Sequence, residues 1–325
     1  MNIGIIYNSF TGKELLPEEI ELRNTSFAIG SHLVKEGQDV RFFDMDNPAS
    51  IIELCQSDID VAFDTCERIH GDSRGEAYTT ALLEYLDIPH TRTSSFYIGF
   101  GINKVRVKSI LSFHHILVPR FQVFKNFQDK LDPDLKFPLF VKGVACENSI
   151  GIDEYSFVTN LTQLKNKVTQ INKLFNQPAL VEEFIDGREF SVAILPGKVN
   201  RCLPIMEIRY DDLPLNRRFL DYSAKWVIDS DQFRKTVPIV PLDLTDNENK
   251  QITSTALESF RILGLDSYAR IDMRYKDHEL YVLEVNQNPS IDEMDSGYVR
   301  ACQDIGLDYS GMINRLLQNA LLGLQ

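Results

Sequence analysis

Apolar segments alternate with amphipathic ones along the first hundred residues. In chain order this pattern predicts a strand from Asn2 to Tyr7, a helix from Glu18 to Glu36, strands from Asp39 to Phe43 and from Asp60 to Phe63, and a helix from Glu76 to Leu86. After that helix, the segment from Asp87 to His90 returns the chain to the sheet. Such a βαβ order is typical of a small, doubly wound unit, so we predict a Rossmann-like domain over residues 1–100.

Two further units follow. A glycine-bearing joint is predicted from Gly99 to Gly101, and residues 101–183 then have the mixed pattern of a compact α+β domain. Its predicted elements are a helix from Lys104 to Phe113, a strand from Leu139 to Lys142, a helix from Leu161 to Leu174 and a strand from Ala179 to Phe184.

Residues 184–325 form the largest predicted unit. Strand-like runs begin at Glu189, and a polar connection from Tyr210 to Lys235 follows them. The remaining elements are a helix from Asn247 to Leu263, two apolar strands near 268–275 and 281–286, and a helix from Asp308 to Leu321. The predicted fold class is therefore mixed α/β and α+β, in three domains.

The two apolar strands near residues 270 and 284 carry the clearest chemical pattern. A polar turn at residues 276–278 predicts a hairpin, which brings Asp272, Glu284 and Asn286 to one face together with Arg270. Two carboxylates and an amide oxygen suit Mg²⁺, which shares its remaining positions with water and substrate phosphates. Nucleotide chemistry is the first hypothesis, and an exposed hairpin whose polar residues face water is the alternative.

Composition and charge narrow the partners. The chain has 325 residues, of which 43% are hydrophobic, and a formal net charge of -13. This acidic balance opposes a nucleic-acid backbone or an anionic membrane as the main partner. The start of the chain has no basic or apolar leader pattern and no run approaches a membrane span, which predicts a cytoplasmic protein. Its five cysteines are scattered without a Cys-x-x-Cys pair and predict neither disulfides nor a zinc site.

The common phosphate-binding motifs are incomplete. The segment from Asn8 to Glu14 contains Gly-Lys but lacks the opening glycine and the Ser or Thr of a Walker A loop. The segment from Gly99 to Lys104 lacks the third glycine of a dinucleotide fingerprint, which disfavours a dehydrogenase. A nucleotide site would have to belong to a different fold.

Several separate segments, from about residue 50 to the C-terminus, resemble one family in order and spacing. They are Asn103 and Lys104 opening a helix, Phe140 to Lys142 before a small-residue loop, Val181 to Glu189, Asp221 to Trp226, Arg270 to Asp272, and Glu284 to Asn286. This order is similar to that of the D-alanine–D-alanine ligases of the ATP-grasp superfamily. The resemblance implies an ATP-dependent carboxylate–amine ligase that forms an amide bond through an acyl phosphate.

The resemblance assigns the nucleotide site residue by residue. It implies that Lys104 and Lys142 bind the α- and β-phosphates, although each lysine alone could be a solvated surface residue. It places the adenine against Glu182, Glu183 and Ile185, and the ribose hydroxyls against Glu189. Without the family, the glutamates could be solubilising groups at a strand end.

The resemblance also implies the catalytic and metal-binding groups. Asp272, Glu284 and Asn286 would hold Mg²⁺, with Mn²⁺ as an alternative, and the Arg270 guanidinium would stabilise the transferring phosphate or the oxyanion. Arg270 beside the carboxylates could otherwise be a plain ion pair.

Two segments are expected to close over the phosphates. Loop 143–151 would act as a lid through Asn148 and Ser149, and Lys225 and Trp226 would close the second side, with Lys225 also catalytic. Compared with the family, this loop has fewer glycines and carries an added negative charge at Glu147.

The amino-acid pocket departs most from the family pattern. Ser290 replaces the glycine whose backbone N–H helps to hold the oxyanion, and Asp295 stands where the family has a serine that receives the acceptor carboxylate. Since like charges repel, Asp295 predicts an acceptor with a neutral or cationic group at that position. Glu21 and His70 are further predicted substrate residues, although an isolated histidine is usually a packed or surface residue.

The sequence therefore predicts a three-domain ATP-grasp ligase with ATP and Mg²⁺ as cofactors and small amino acids or peptides as substrates. A specialised amino-acid ligase or cyclase of secondary metabolism is one alternative. A nucleotide-binding regulator without turnover is another, and the full set of charged residues argues against it. The resemblance leaves a homodimer open.

Overall fold

The first hundred residues form the predicted βαβ unit. The computed structural model describes residues 1–10, 14–294 and 296–323. The elements of this part are β1 (Asn2–Tyr7), α1 (Pro17–Lys35), β2 (Asp39–Asp44), α2 (Pro48–Cys55), β3 (Val61–Asp64), α3 (Gly75–Tyr85) and α4 (Ser95–Gly101). The sheet is parallel in the order β2-β1-β3, and His90 adds a parallel bridge to Ala62. The predicted return to the sheet at residues 87–90 is confirmed.

The predicted joint at Gly99 to Gly101 is wrong, because these residues form the last turn of α4. Gly101 is needed there for close packing: a Cβ atom at this position would lie 1.9 Å from the Gln287 side-chain oxygen. Gln287 in turn donates a hydrogen bond from Nε2 to the Ile98 carbonyl at 3.0 Å. The end of α4 is thus fixed against the residues that follow the C-terminal hairpin.

The second sheet is antiparallel and follows the order β4-β7-β5-β6. The elements of this part are α5 (Lys104–Phe113), β4 (Phe121–Phe124), β5 (Leu139–Gly143), β6 (Phe157–Val158), α6 (Leu161–Phe175) and β7 (Ala179–Glu183). The Asn103 side chain caps α5 by accepting from the backbone N–H groups of Val105 and Arg106, as its position before the helix predicts. Leu164, Val168 and Ile171 bury one face of α6 against the sheet.

The third sheet is also antiparallel, with the order β11-β10-β8-β12-β13 and β9 paired to β8. Its elements are β8 (Arg188–Leu195), β9 (Arg201–Cys202), β10 (Met206–Tyr210), α7 (Tyr222–Trp226), α8 (Asp231–Lys235), β11 (Thr236–Ile239), α9 (Asp246–Ile262), β12 (Ala269–Lys276), β13 (Glu279–Asn286), α10 (Gly297–Gln303) and α11 (Tyr309–Leu321). The predicted polar connection at 210–235 therefore contains two short helices.

The C-terminal helix packs back onto the first sheet. Ile313 and Leu317 of α11 share a buried cluster with Ile3, Ile5 and Phe63. Their burial stabilises both ends of the chain, by about 1.5–3 kcal/mol for each large side chain. The three predicted domains remain a proposal, in which α11 also covers the N-terminal unit. Within the described ranges, no helix is both long and apolar enough to cross a membrane.

Candidate active site

A deep cleft brings together residues from all three parts of the chain. Its walls come from α5, β5 and β7 on one side, from β8, β12 and β13 on the other, and from loop 146–152. The predicted site residues that line it are Lys104, Lys142, Asn148, Ser149, Glu182, Glu183, Ile185, Glu189, Lys225, Arg270, Asp272, Glu284 and Asn286.

The C-terminal hairpin brings its predicted charged residues together with the help of an irregularity in its pairing. Asp277 and His278 make the turn with φ values of 50° and 66°, the conformation of a two-residue hairpin turn. The register set by this turn holds as far as Met273 opposite Val282, and a one-residue shift between Met273 and Asp272 then places Asp272 opposite Glu284 and Arg270 opposite Asn286. Since all four residues line the cleft, the alternative of a hairpin facing bulk water is wrong.

Arg270 and Asp272 form a two-pronged ion pair. The guanidinium donates from Nε to Oδ1 at 2.9 Å and from Nη2 to Oδ2 at 2.8 Å. Ser191 on β8 donates its hydroxyl to the same Oδ1 at 2.7 Å. The Asp272 carboxylate is therefore fixed at the floor of the cleft by groups from two strands.

The opposite wall is a row of alternating buried charges. Glu182 forms ion pairs with Lys142 and Lys108, each at 3.0 Å, and Lys104 pairs with Glu284 on β13 at 2.9 Å. The lysine side chains are 3–10% exposed, so the alternative of solvated surface lysines is wrong. Lys108 was not predicted, although it lies four residues after Lys104 and so on the same face of α5.

These contacts keep the groups charged. Burial opposes ionisation of Glu182, but Lys108 and Lys142 outweigh it and hold the pKa of the carboxyl below its ordinary value. Burial likewise opposes ionisation of Glu284, whose pKa Lys104 and Lys142 hold far below its usual range. The pKa of Lys142 is raised despite its burial, because Glu182 and Glu284 favour its charged form. The cleft thus offers fixed cations to an anionic ligand.

The hairpin also offers a donor set for a hard cation. Asp272 and Glu284 supply carboxylates, and the Asn286 side-chain oxygen accepts from the Asn288 backbone at 3.0 Å. The described residues contain no cluster of three or more His, Cys, Asp and Glu side chains that could hold a metal ion. Two carboxylates, one amide oxygen and an adjoining phosphate are a set that fits Mg²⁺ and does not fit an all-protein zinc cage.

The end of β7, the start of β8 and the segment that joins them contain the predicted adenosine residues. Glu189 is buried and accepts a hydrogen bond from the Tyr210 hydroxyl at 2.8 Å. Arg274 binds Glu189 at 2.7 Å and the Ile185 carbonyl at 2.7 Å. Arg274 was not among the predicted site residues, although its spacing from Arg270 and Asp272 places it on the same face of β12.

Loop 143–151 is tied to both neighbouring parts of the chain. Asn148 donates from Nδ2 to Glu67 at 2.9 Å, and Ser149 donates its hydroxyl to the Leu220 carbonyl at 3.0 Å. Trp226 does not line the cleft, but its indole N–H donates to the Asn148 carbonyl at 3.1 Å. Burial raises the pKa of Glu147 to about 7, although Lys104 opposes the shift. The predicted lid residues therefore contact the segments expected to close the site.

The predicted substrate residues lie in different surroundings. The Ser290 hydroxyl donates to Glu21 at 2.8 Å, which joins the C-terminal loop to α1. Burial raises the pKa of Glu21 to about 7, opposed by the Ser290 hydrogen bond. His70 is exposed in a turn with φ 52° and is not among the residues that line the cleft. Asp295 lies outside the described residues.

Comparison with known proteins identifies the class and then the family. Over its full length, the structure matches that of D-alanine–D-alanine ligase from Bacillus anthracis in complex with ATP, with a TM-score of 0.78, 23% identity and 98% of that chain covered. This likeness shows the fold, which is the ATP-grasp fold. The model of the D-ala D-ala ligase C-terminus matches residues 106–318, more than half of the chain. This protein belongs to the D-alanine–D-alanine ligase family and is an ATP-dependent ligase.

Two sequence relatives show how far the likeness extends along the chain. The D-alanine–D-alanine ligase of Carboxydothermus hydrogenoformans is 29% identical over 336 aligned residues, covering 100% of both chains. The uncharacterised protein y4sG of Sinorhizobium fredii is 32% identical, covering 80% of this chain and 74% of its own. The predicted family, fold class and amide-forming activity are confirmed.

Proposed function

We propose that this protein uses ATP to join the carboxylate of one small amino acid to the amine of another. D-alanine is the first carboxylate substrate to test, and at the acceptor position it is compared with amines that lack a free carboxylate, which the sequence predicts from Asp295. The observation that carries this proposal is the cleft itself. Lys104 and Lys142 face a carboxylate-bearing hairpin across a buried site, and Arg270 lies beside the hairpin carboxylates. The arrangement suits a triphosphate and a carboxylate held side by side.

The reaction needs two nucleophilic displacement steps. In the first, a carboxylate oxygen of one substrate attacks the γ-phosphorus of ATP, and ADP leaves. In the second, the amine attacks the acyl carbon, phosphate leaves with the transferred oxygen, and the amine loses a proton. Lys104 and Lys142 hold the nucleotide phosphates, and Arg270 stabilises the negative charge that develops at the reacting centre.

Asp272, Glu284 and Asn286 would hold Mg²⁺, or Mn²⁺ as an alternative. The cation supplies neutralisation of the charge on the phosphate oxygens as the phosphoryl group moves. Arg270 and Lys104 pair with these carboxylates, so a bound cation would take their place as counter-ion and leave both side chains to bind the phosphates.

An acyl phosphate must be kept from water, and the lid contacts serve this purpose. Ser149 and Asn148 join loop 143–151 to Leu220 and Glu67, and Trp226 holds the Asn148 carbonyl. These contacts close the phosphate end of the cleft from two sides. Lys225, which lines the cleft one residue before Trp226, adds a cation on the second side.

At the amino-acid end, Glu21 is proposed to orient the first substrate by accepting from its ammonium group. Ser290 fixes Glu21 and would present its own backbone N–H to the oxyanion. The comparisons do not favour the specialised ligase or the silent regulator, because the named relatives are D-alanine–D-alanine ligases. The small amino-acid substrates, the cytoplasmic location and a homodimer belong to the same proposal.

The proposal is tested by phosphate release from ATP with single amino acids and pairs, D-alanine first, followed by mass spectrometry of the product. We expect release that depends on both an amino acid and Mg²⁺, together with a dipeptide. Phosphate release without any amide product, or no dependence on any amino acid, would contradict it. Arg188→Met is a control variant, since Arg188 pairs with Glu207 outside the cleft lining.

A further inference from the structure

Arg274 joins three walls of the adenosine end of the cleft. Its side chain is 4% exposed and lines the cleft with Arg270 and Asp272. Nε and Nη2 donate to Glu189 Oε2 at 2.9 and 2.7 Å, and Nη1 donates to the Ile185 carbonyl at 2.7 Å. Nη2 also reaches the carbonyl of Arg218, in the connection that leads to Lys225. One guanidinium therefore fixes the strand segment, the carboxylate and the lid connection.

Two aromatic rings pack near the Arg274 guanidinium and restrict its movement. Its carbon lies 4.8 Å from the centre of the Phe184 ring and 5.8 Å from that of Tyr210. Such contacts favour a planar cation, and a lysine ammonium cannot make the same fork of hydrogen bonds. The geometry of the ion pair with Glu189 is thus specified by shape as well as by charge.

The hydrogen bonds to Glu189 are unequal between its two oxygens. Arg274 donates twice to Oε2, and the Tyr210 hydroxyl donates to the same atom at 2.8 Å. Within the described part of the chain, no hydrogen bond ends on Oε1. A carboxylate oxygen has two acceptor positions, so Oε1 keeps the capacity to accept from a neighbouring pair of hydroxyl groups.

We propose that Arg274 is a positioning residue that turns Glu189 so that Oε1 selects a nucleotide with an intact ribose diol. The inference rests on the proposed function, since it takes ATP as the occupant of the cleft. Without Arg274, Glu189 would lose two of its donors and the constraint on its rotamer. The carboxylate would then recognise the diol less well, while Arg270 and the lysines at the phosphate end would be unchanged.

The test compares ATP with 2′-deoxyATP as ligands of wild type, Arg274→Met, Arg274→Lys and Glu189→Gln. We expect wild type to bind ATP about tenfold more tightly, the size of one charged hydrogen bond, and each variant to prefer ATP by less than about threefold. The KM for ATP should rise by about tenfold in Arg274→Met while kcat stays within about threefold, since the change affects binding rather than the reacting centre. Arg274→Lys keeps the buried charge, so it provides the test if Arg274→Met does not fold.

Arg188→Met is the matched control, because Arg188 forms an equivalent pair with Glu207 at 2.7 Å on the same strand as Glu189 but does not line the cleft. It should keep the wild-type preference for ATP. A folded Arg274 variant with the wild-type preference would overturn the inference, and so would an equal loss in Arg188→Met. A wild type that binds ATP and 2′-deoxyATP equally would overturn it while leaving the proposed function intact. A wild-type protein that binds neither nucleotide would overturn both the inference and the proposed function.

Discussion

Replacing Glu182 with glutamine removes the carboxylate that Lys108 and Lys142 share. Glu182 lies within 3.0 Å of both ammonium groups and is 4% exposed. The amide has nearly the same shape but no charge, so both lysines keep their position and lose their main counter-ion. Breaking a buried ion pair by removing one partner typically costs about 3–5 kcal/mol, and we expect Glu182→Gln to lower the free energy of unfolding by about that amount at pH 7.

The loss of stability in Glu182→Gln should also depend on pH. Without Glu182, burial lowers the pKa of the two lysines in the folded state, while an unfolded lysine titrates near about 10.4. Below that pH the unfolded state binds more protons than the folded state, so the stability of the variant rises with pH. The deficit relative to wild type should therefore be larger at pH 7 than at pH 10.

Urea unfolding followed by circular dichroism measures both effects. Glu183→Gln is the matched control, since Glu183 is the next residue on β7 and is only half-buried. This control should change the free energy of unfolding by no more than about 0.5 kcal/mol. The reasoning is refuted if the two variants unfold at the same urea concentration. A deficit of equal size at pH 7 and pH 10 would also contradict it.

Three further predictions concern the site. Lys142→Met should weaken ATP binding by about tenfold or more in calorimetry, because a charge opposite the phosphates is lost; unchanged affinity in the folded variant would remove Lys142 from the site. Arg270→Lys should lower kcat by about a hundredfold while changing the KM for ATP by only a few-fold, whereas Glu284→Gln should shift the Mg²⁺ dependence of turnover. Equal effects of these two variants on both quantities would contradict their separate roles. Burial raises the pKa of Glu21 to about 7 from 4.5, so its folded carboxyl holds a proton that the unfolded chain releases, and wild type loses stability as pH rises across that interval. The free energy of unfolding of Glu21→Gln relative to wild type should therefore rise by at most about 3 kcal/mol between pH 5 and pH 8, as measured by urea unfolding. A difference between the two proteins that did not depend on pH would refute this.

The sequence predicted those parts of the site that depend on local periodicity. Alternation along β12 and β13 predicted that Asp272 and Glu284 share a face, but the register set by the short turn would place Leu283 opposite Asp272, and a one-residue register shift between Asp272 and Met273 brings Glu284 there instead. The cap of α5 and its exact bounds also followed from the residues around Asn103. Local pattern and tertiary structure agree at this cap.

Other contacts could not be read from local pattern. Glu67 and Asn148 are 81 residues apart, and only the packing of loop 143–151 against the N-terminal unit brings them together. Gly101 looked like a joint because two nearby glycines favour flexibility, but one of them serves close packing against Gln287. Lys108 and Arg274 lay on faces already assigned to the site, yet buried charges are rare enough that solvent exposure was the default expectation.

The path of one oxygen atom tests the central claim most directly. D-alanine, or whichever amino acid supports turnover, is labelled with ¹⁸O in its carboxylate, and the phosphate released from ATP is analysed by mass spectrometry. Amide formation through an acyl phosphate predicts one ¹⁸O atom in each phosphate molecule, together with ADP and a dipeptide. Unlabelled phosphate, or AMP and pyrophosphate in place of ADP and phosphate, would contradict it.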